Sequence, residues 1–475
     1  MPDHPHDDAT PPRPEDPDLR ERAERAERER DALQREVERL RRENERLRRE
    51  LDAARRAGKR QAAPFSRDCP ATHPRRPGRK SGAAYGPRAR RPAPTHIDEQ
   101  YDAPLPRTCP ACAGVVIETS VTTQYHEDLP PVRPLVRAFQ IHIGACEQCG
   151  QRVQGRHPLQ TSDAVGAAAA QLGPQAVVTA AHLHKEGGLP LAKIAQFYQQ
   201  HFGLTVTPGG LVHALHRAAR QAAPTYTALL DTVRQSAVVT PDETGWRVGA
   251  ELQWLWVAVT PSTTVYAIQP GRGFDEAAAL LSADFAGTLV RDGWAPYRQF
   301  DRAAHQTCLQ HLLRRARELQ ADHPRALLPY QVHDVLQQAL ALPDRHAAGT
   351  VSDHGRAVAR GHLETRLSTI LDQRSTVPAV RRFVAHLDRE WPALFSFLHD
   401  HTVEATNWRA EQALRPAVVN RKVCGGNRTW VAAQTQQILM TVFRTSRQRA
   451  LDPLRIVGDL LHERVPRIAA ALFPT

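Results

Sequence analysis

The chain has 475 residues, 41% of them apolar and 24% charged, and a formal net charge of +12. That length implies several domains, and the basic balance favours a polyanionic partner, DNA or RNA. No apolar run approaches the roughly 20 residues needed to cross a bilayer, and the opening MPDHPHDDATPPRPEDPD is polar and acidic, unlike a signal peptide, so a cytoplasmic protein without membrane association is expected.

Residues 1–18 read as disordered. From Leu19 to Ala54 a heptad register holds, with Leu19, Ala26, Leu33, Leu40, Leu47 and Ala54 at d and Ala23, Val37, Asn44 and Leu51 at a, Arg30 being the exception. This predicts a coiled coil over 19–57, and Asn44 in the seam favours a parallel, in-register homodimer, itself open to higher assembly. Residues 58–100 form a basic disordered linker: between Arg55 and Pro94 there are twelve Lys or Arg and one acid. Within it Arg75, Arg76, Arg79 and Lys80 suit a narrow DNA minor groove, or simply make a soluble basic tether.

Four of the seven cysteines form two CxxC pairs, Cys109 with Cys112 and Cys146 with Cys149. In a reducing compartment this pattern favours a metal over disulfides. Four thiolates satisfy tetrahedral Zn²⁺, and two knuckles separated by a β-rich stretch resemble a zinc ribbon over 101–160, a closed structural site. Residues 161–225 follow as a helical segment. A helix with Leu191, Ile194, Ala195 and Tyr198 ends near Gly203, and Thr207-Pro208 caps and opens a second. The spacing is that of a helix-turn-helix DNA-binding unit, or of a plain helical hairpin.

A catalytic domain is expected over 226–428. In AVVTPDETGW a β-branched run breaks at Pro241 and delivers Asp242 to a strand end; in GTLVRDGW the strand-like Leu289 and Val290 lead directly to Asp292. Between them ELQWLWVAVT and TTVYAI read as two further strands, and Leu309 to Leu319 as a helix. This order matches a ribonuclease H-like α/β fold. Residues 321–401 read as an all-α insertion with one apolar face of Phe383, Leu387, Trp391, Leu394, Phe395 and Leu398. In TNWRAEQALRP, Thr406 or Asn407 caps a short helix that carries Glu411 and that Pro416 stops. A helical tail over 429–475 completes the chain. Carboxylates gathered from distant segments make an oxygen-rich pocket suited to Mg²⁺ or Mn²⁺ beside phosphates, hence phosphodiester chemistry. Among nearby acids, Glu243 points to the opposite side if the strand continues, Asp284 and Asp301 lack a strand end, and Glu404 precedes the helix cap.

The motifs DETGWRV, LVRDGW, CLQHLLRRARELQ and NWRAEQALRPAVVNRKVCGGNRT closely resemble DDE transposases of the insertion-sequence 66 family, over nearly the whole chain. The resemblance implies an N-terminal leucine zipper, a basic linker, a zinc-binding CxxC segment and a helical tail. It assigns metal-binding roles to Asp242, Asp292 and Glu411, through Asn407, Arg409, Leu414, Arg415, Pro416, Arg421 and Lys422 of the last motif. It implies cleavage at insertion-sequence ends and strand transfer into target DNA with two metal ions, and leaves open a need for accessory transposition proteins. Cys308 and His311 also match a family motif, as support for the site or as packing beneath it. Arg415, Arg421 and Lys422 could contact phosphates beside the scissile bond. The rivals are a metal-dependent nuclease of the same fold that cuts without joining, and a non-enzymatic DNA-binding regulator.

Overall fold

The computed structural model describes residues 25, 29, 30, 32–44, 46, 47, 93–130, 132–164 and 171–473. The expected disordered start, Cys69, and the linker residues Arg75, Arg76, Arg79 and Lys80 lie outside them. The chain divides into two compact units, one up to Tyr125 and one from His126.

In the first unit, residues 32–44 are helical, and the seam residues Leu33, Val37 and Leu40 are exposed in the single chain. Further on, the Cys109 N–H donates to Gly114 O at 2.9 Å and the Ala113 N–H returns to Cys109 O at 2.8 Å, closing a knuckle whose flanks bridge at Thr108 and Val115. In the second unit, the hairpin of β1 (Ile143–Ala145) and β2 (Arg152–Gln154) carries the same turn: the Cys146 N–H donates to Gln151 O at 2.9 Å and the Gly150 N–H to Cys146 O at 2.8 Å. Backbone N–H groups aimed at the first sulfur of each knuckle, from Ala111 and Cys112 and from Cys149 and Gln148, lower the pKa of Cys109 and Cys146. The β-rich stretch expected between the knuckles is not found, since the described residues of 116–142 hold no strand. Their apolar side chains, Ile117, Val121, Leu129, Leu135 and Val136 among them, are exposed, and an extended run without a partner strand cannot form a ladder.

Three helices follow: α1 (Pro174–Lys185), α2 (Leu191–Phe202) and α3 (Pro208–Arg234). As the sequence predicts, α2 ends on Gly203 at a left-handed φ of 66°, and α3 starts at Thr207, whose hydroxyl accepts the Gly210 N–H at 3.0 Å. Ile194, Tyr198, Leu211 and Ala180 form the small core where the three meet. Helix α3 is far longer than a recognition helix needs, running unbroken past 225 and Pro224 to pack on the sheet.

The mixed sheet has the order β5-β4-β3-β6-β7, built from β3 (Val238–Val248), β4 (Glu251–Val259), β5 (Thr264–Gln269), β6 (Thr288–Arg291) and β7 (Ala304–Thr307). The meander β3-β4-β5 is antiparallel, and β3, β6 and β7 are parallel. Alternation sorts the side chains cleanly. Val239, Trp256, Ala258, Val265 and Leu289 face α1, α3, α4 (Phe274–Leu281) and later helices. Trp246, Val248, Leu255, Val257, Tyr266 and Ile268 face the other way. The helix α5 (Leu309–Asp322) follows β7, and α6 (Leu328–Ala347), α7 (Asp353–Leu371), α8 (Pro378–Glu390) and the short α9 (Ser396–His399) make the helical segment expected over 321–401 around its own core. Its predicted apolar face holds except at Trp391, which is 37% exposed because α8 ends at Glu390 and Pro392 forces a tight turn. The chain returns through α10 (Trp408–Cys424), α11 (Trp430–Gln448) and α12 (Pro453–His462).

Helix α11 closes the free edge of β5. The N–H groups of Thr264, Tyr266 and Ile268 donate to side chains of Thr445, Thr441 and Gln437 at 3.1, 2.9 and 2.9 Å. Two strand residues advance about 6.6 Å and four helical residues about 6 Å, so the antiparallel helix keeps step with alternate strand donors. An edge that would template further strand pairing is thereby satisfied by side chains.

Candidate active site

The strand carrying Asp242 does not break at Pro241. β3 continues through both residues to Val248, pairing Pro241 with Ala258 and Asp242 with Val257. Proline is tolerated because β6 pairs with β3 only at Val238 and Val239, so at Pro241 β3 has a single partnered edge. Asp242 therefore sits mid-strand, on the face that includes Trp246 and Val248. Glu243 projects to the opposite face, as the alternation predicts, where Arg272 Nε donates to Oε1 at 2.7 Å and the Tyr297 hydroxyl to Oε2 at 2.6 Å.

Asp292 follows the last residue of β6, as expected, and its Oδ1 accepts the Trp294 N–H at 2.9 Å. Asp242 Oδ1 accepts the Glu243 N–H at 2.8 Å. Neither Oδ2 has a hydrogen bond among the described residues, which leaves each aspartate one open oxygen.

Glu411 lies in the first turn of α10, which packs Ala410, Ala413, Leu414 and Ala417 on the Asp242 face of the sheet. The helix is not short: Pro416 falls inside it and the chain stays helical to Cys424, ending at Gly425 with φ 78°. The sequence signal failed because burial of an alanine-rich face outweighs one lost helical hydrogen bond. Asn407 is the cap, through its carbonyl to the Ala410 and Glu411 N–H groups, while its buried Oδ1 has no partner among the described residues. Glu404 is committed elsewhere: Trp408 Nε1 and Arg409 both donate to it, and the Arg409 guanidinium lies 5.2 Å from the Trp408 ring centre. That contact gives Trp408 its place.

Burial first, then the charge of Glu243, with further contributions from Asp292 and Glu411, pushes Asp242 up to about 7. His311 stands beside Glu411, its Nε2 3.8 Å from Glu411 Oε1 and its Nδ1 buried without a partner among the described residues. Burial and then Arg314 lower its pKa, against Asp292 and Glu411, which raise it. Cys308, buried at the start of α5, has its thiol raised by burial. Among the described residues no three His, Cys, Asp or Glu side chains are drawn in around one point at metal-ligand spacing. The carboxylates nevertheless fit a hard divalent cation by chemistry: oxygen donors from three elements, open lone pairs, and mutual repulsion that a cation would relieve.

Of the three basic residues of α10 expected on DNA, Arg415 and Lys422 are exposed. Arg421 is half-buried, donating from Nη1 to Thr244 Oγ1 at 3.1 Å and to the Gly245 carbonyl, and so ties α10 to β3. Sequence reasoning passed over Arg272, Trp294 and Tyr297; their only signals were the glycines flanking Arg272 and the nearness of DGW and Tyr297 to Asp292.

A family model described as "Transposase IS66 family" matches residues 170–435, a span that contains all three acids. An uncharacterized protein, y4jD, of Sinorhizobium fredii (strain NBRC 101917 / NGR234) is 25% identical, with 78% of each chain covered. No helix among the described residues is long and apolar enough to cross a membrane. The chain belongs to the IS66 transposase family.

Proposed function

We propose that this transposase cuts DNA at the ends of its insertion sequence and joins them to target DNA at a site held by Asp242, Asp292 and Glu411. The observation that carries the reading is where the acids stand: Asp242 on β3, Asp292 just past the end of its parallel neighbour β6, and Glu411 in the first turn of α10, which packs on the Asp242 face of the sheet. Burial and then Glu243 raise Asp242 to about 7, with smaller contributions from Asp292 and Glu411. The sheet order, with its antiparallel meander followed by two parallel strands, supports a ribonuclease H-like core interrupted by the helical insertion. Mg²⁺ or Mn²⁺ bound by these acids would activate water or a 3′-hydroxyl and stabilise the leaving oxygen. The protein's part is to present the open aspartate oxygens and the half-exposed Glu411 toward the phosphate, with His311 as a neighbour of Glu411. Arg415 and Lys422, exposed on the helix that carries Glu411, are suited to flanking phosphates.

The remaining modules support DNA engagement in this reading: Zn²⁺ on Cys109, Cys112, Cys146 and Cys149, the α2–α3 helix-turn-helix, the basic linker, and a homodimer through the heptad seam. Purified protein, DNA carrying candidate element ends, and Mg²⁺ or Mn²⁺ test the proposal. Asp242→Asn, Asp292→Asn and Glu411→Gln should abolish nicking while DNA binding persists, and Glu404→Gln should still nick. Strand-transfer products distinguish a transposase from a simple nuclease. Normal cleavage by all three acid variants would refute the assignment.

A further inference from the structure

The strands that deliver the two aspartates diverge before they reach them. Backbone pairing between β3 and β6 stops at Val239 and Leu289, so no ladder bond joins the segments at Asp242 and Asp292. A side-chain assembly spans the gap. Arg272, in the loop between β5 and α4, stacks on Trp294 with its guanidinium carbon 3.9 Å from the ring centre, and faces Trp254 at 4.9 Å. Its Nε donates to Glu243, the strand neighbour of Asp242, at 2.7 Å, and Tyr297 holds the other Glu243 oxygen at 2.6 Å. On the other side, the backbone N–H of the stacked Trp294 bonds Asp292 Oδ1 at 2.9 Å. The Arg272 loop is itself fixed: Trp256 Nε1 donates to Gly271 O at 3.1 Å, the Gly273 N–H donates to Glu276 Oε2 at 2.9 Å, and a Cβ on Gly271 would collide with the Glu276 carboxylate.

We propose that Arg272 is a positioning residue that sets the separation of Asp242 and Asp292, through its bond to Glu243 and its stack on Trp294. The inference rests on the reading that the aspartates hold a divalent cation. A planar guanidinium is needed because one group must both bond a carboxylate edge-on and offer a flat face to an indole, which an ammonium cannot do.

The test is direct Mn²⁺ binding to the full zinc-loaded chain, followed by the electron paramagnetic resonance of free Mn²⁺, with thermal melting recorded for every variant. Asp242→Asn is the reference that reports loss of the site. Arg272→Ala and Arg272→Lys should both weaken Mn²⁺ binding by about tenfold or more, the usual cost of losing a group that orients metal ligands. Trp294→Phe, which keeps a ring and the backbone N–H, should remain near wild type, and Trp294→Ala should resemble Arg272→Lys. Should Arg272→Ala fail to fold, Arg272→Lys and the two Trp294 variants carry the comparison. Wild-type affinity in Arg272→Lys overturns the inference, because charge alone would then suffice. An Asp242→Asn protein that binds Mn²⁺ like wild type overturns the metal reading first, and the role of Arg272 with it.

Discussion

Replacing Asp242 with Asn should stabilise the metal-free protein above neutral pH, although it removes a residue from the proposed site. Burial and the neighbouring Glu243, Asp292 and Glu411 raise this carboxyl from an ordinary 3.8 to about 7, a preference for the neutral form of up to about 4 kcal/mol at roughly 1.4 kcal/mol per tenfold. Because the folded state binds this proton more tightly than the unfolded chain, the stability it contributes is fully present below about pH 4 and is lost as pH rises through about 7. At pH 8 the wild type carries the full penalty of a half-buried, repelled carboxylate, and the isosteric amide carries none. The amide oxygen can still accept the Glu243 N–H, so little else changes. Urea melts at pH 5 and pH 8 in Mg²⁺-free buffer should show the Asp242→Asn variant gaining on the wild type as pH rises, by at most the figure above. Added Mg²⁺ should narrow the difference at pH 8 by stabilising the wild type through binding. A wild type that holds or increases its advantage over the variant between pH 5 and pH 8 without metal would refute the reasoning.

The other predictions concern the frame and the knuckles. Thr441→Val preserves shape but strips the acceptor from the buried Tyr266 N–H, and should cost about 1–3 kcal/mol in urea denaturation. Gly426→Ala should destabilise the turn after α10, since Gly426 has φ 103° and an added Cβ would collide with the Arg247 carbonyl oxygen; hydrogen exchange should report loss of the Val248–Asn427 bridge. Cys146→Ser should abolish the one bound Zn²⁺ that elemental analysis is expected to find per chain, and full occupancy in that variant would exclude these ligands.

Much of the sheet was legible because its pattern is local. The alternation through Trp254, Leu255, Trp256 and Val257 marks a strand buried on both faces, and Thr207-Pro208 marks a helix start from its own chemistry. The errors arose where tertiary context overrides local signals. Pro241 reads as a break, but only a partner that leaves at Val239 lets the strand absorb it. Pro416 reads as a stop, yet Ala410, Ala413 and Ala417 are seated against the sheet on both sides of it. The strand Ala304–Thr307 went unread because AHQT carries no apolar alternation; its place is set by pairing with β6 and by Gln306, whose amide donates to Leu394 O at 3.1 Å and accepts the Phe397 N–H at 3.0 Å.

The strand end before Asp292 was legible in the sequence, but the contacts that fix the segments around the proposed site were not, because they are written in residues far apart in sequence. Arg291, next to Asp292, is buried and donates to Glu390 at 2.8 Å, and Arg298 reaches the other Glu390 oxygen at 2.9 Å. Replacing such a buried ion group with apolar residues is often neutral or stabilising, whereas removing one partner is costly. Its consequence here is therefore registry: the last turn of α8 is fixed against the strand end that presents Asp292. From there the chain passes through α9, and the Leu309 N–H, bonded to Ala405 O at 3.0 Å, holds the return just before α10. The helical insertion thus leaves and re-enters the core at anchored points, and the position of Glu411 relative to Asp292 follows from those anchors rather than from the length of chain between them.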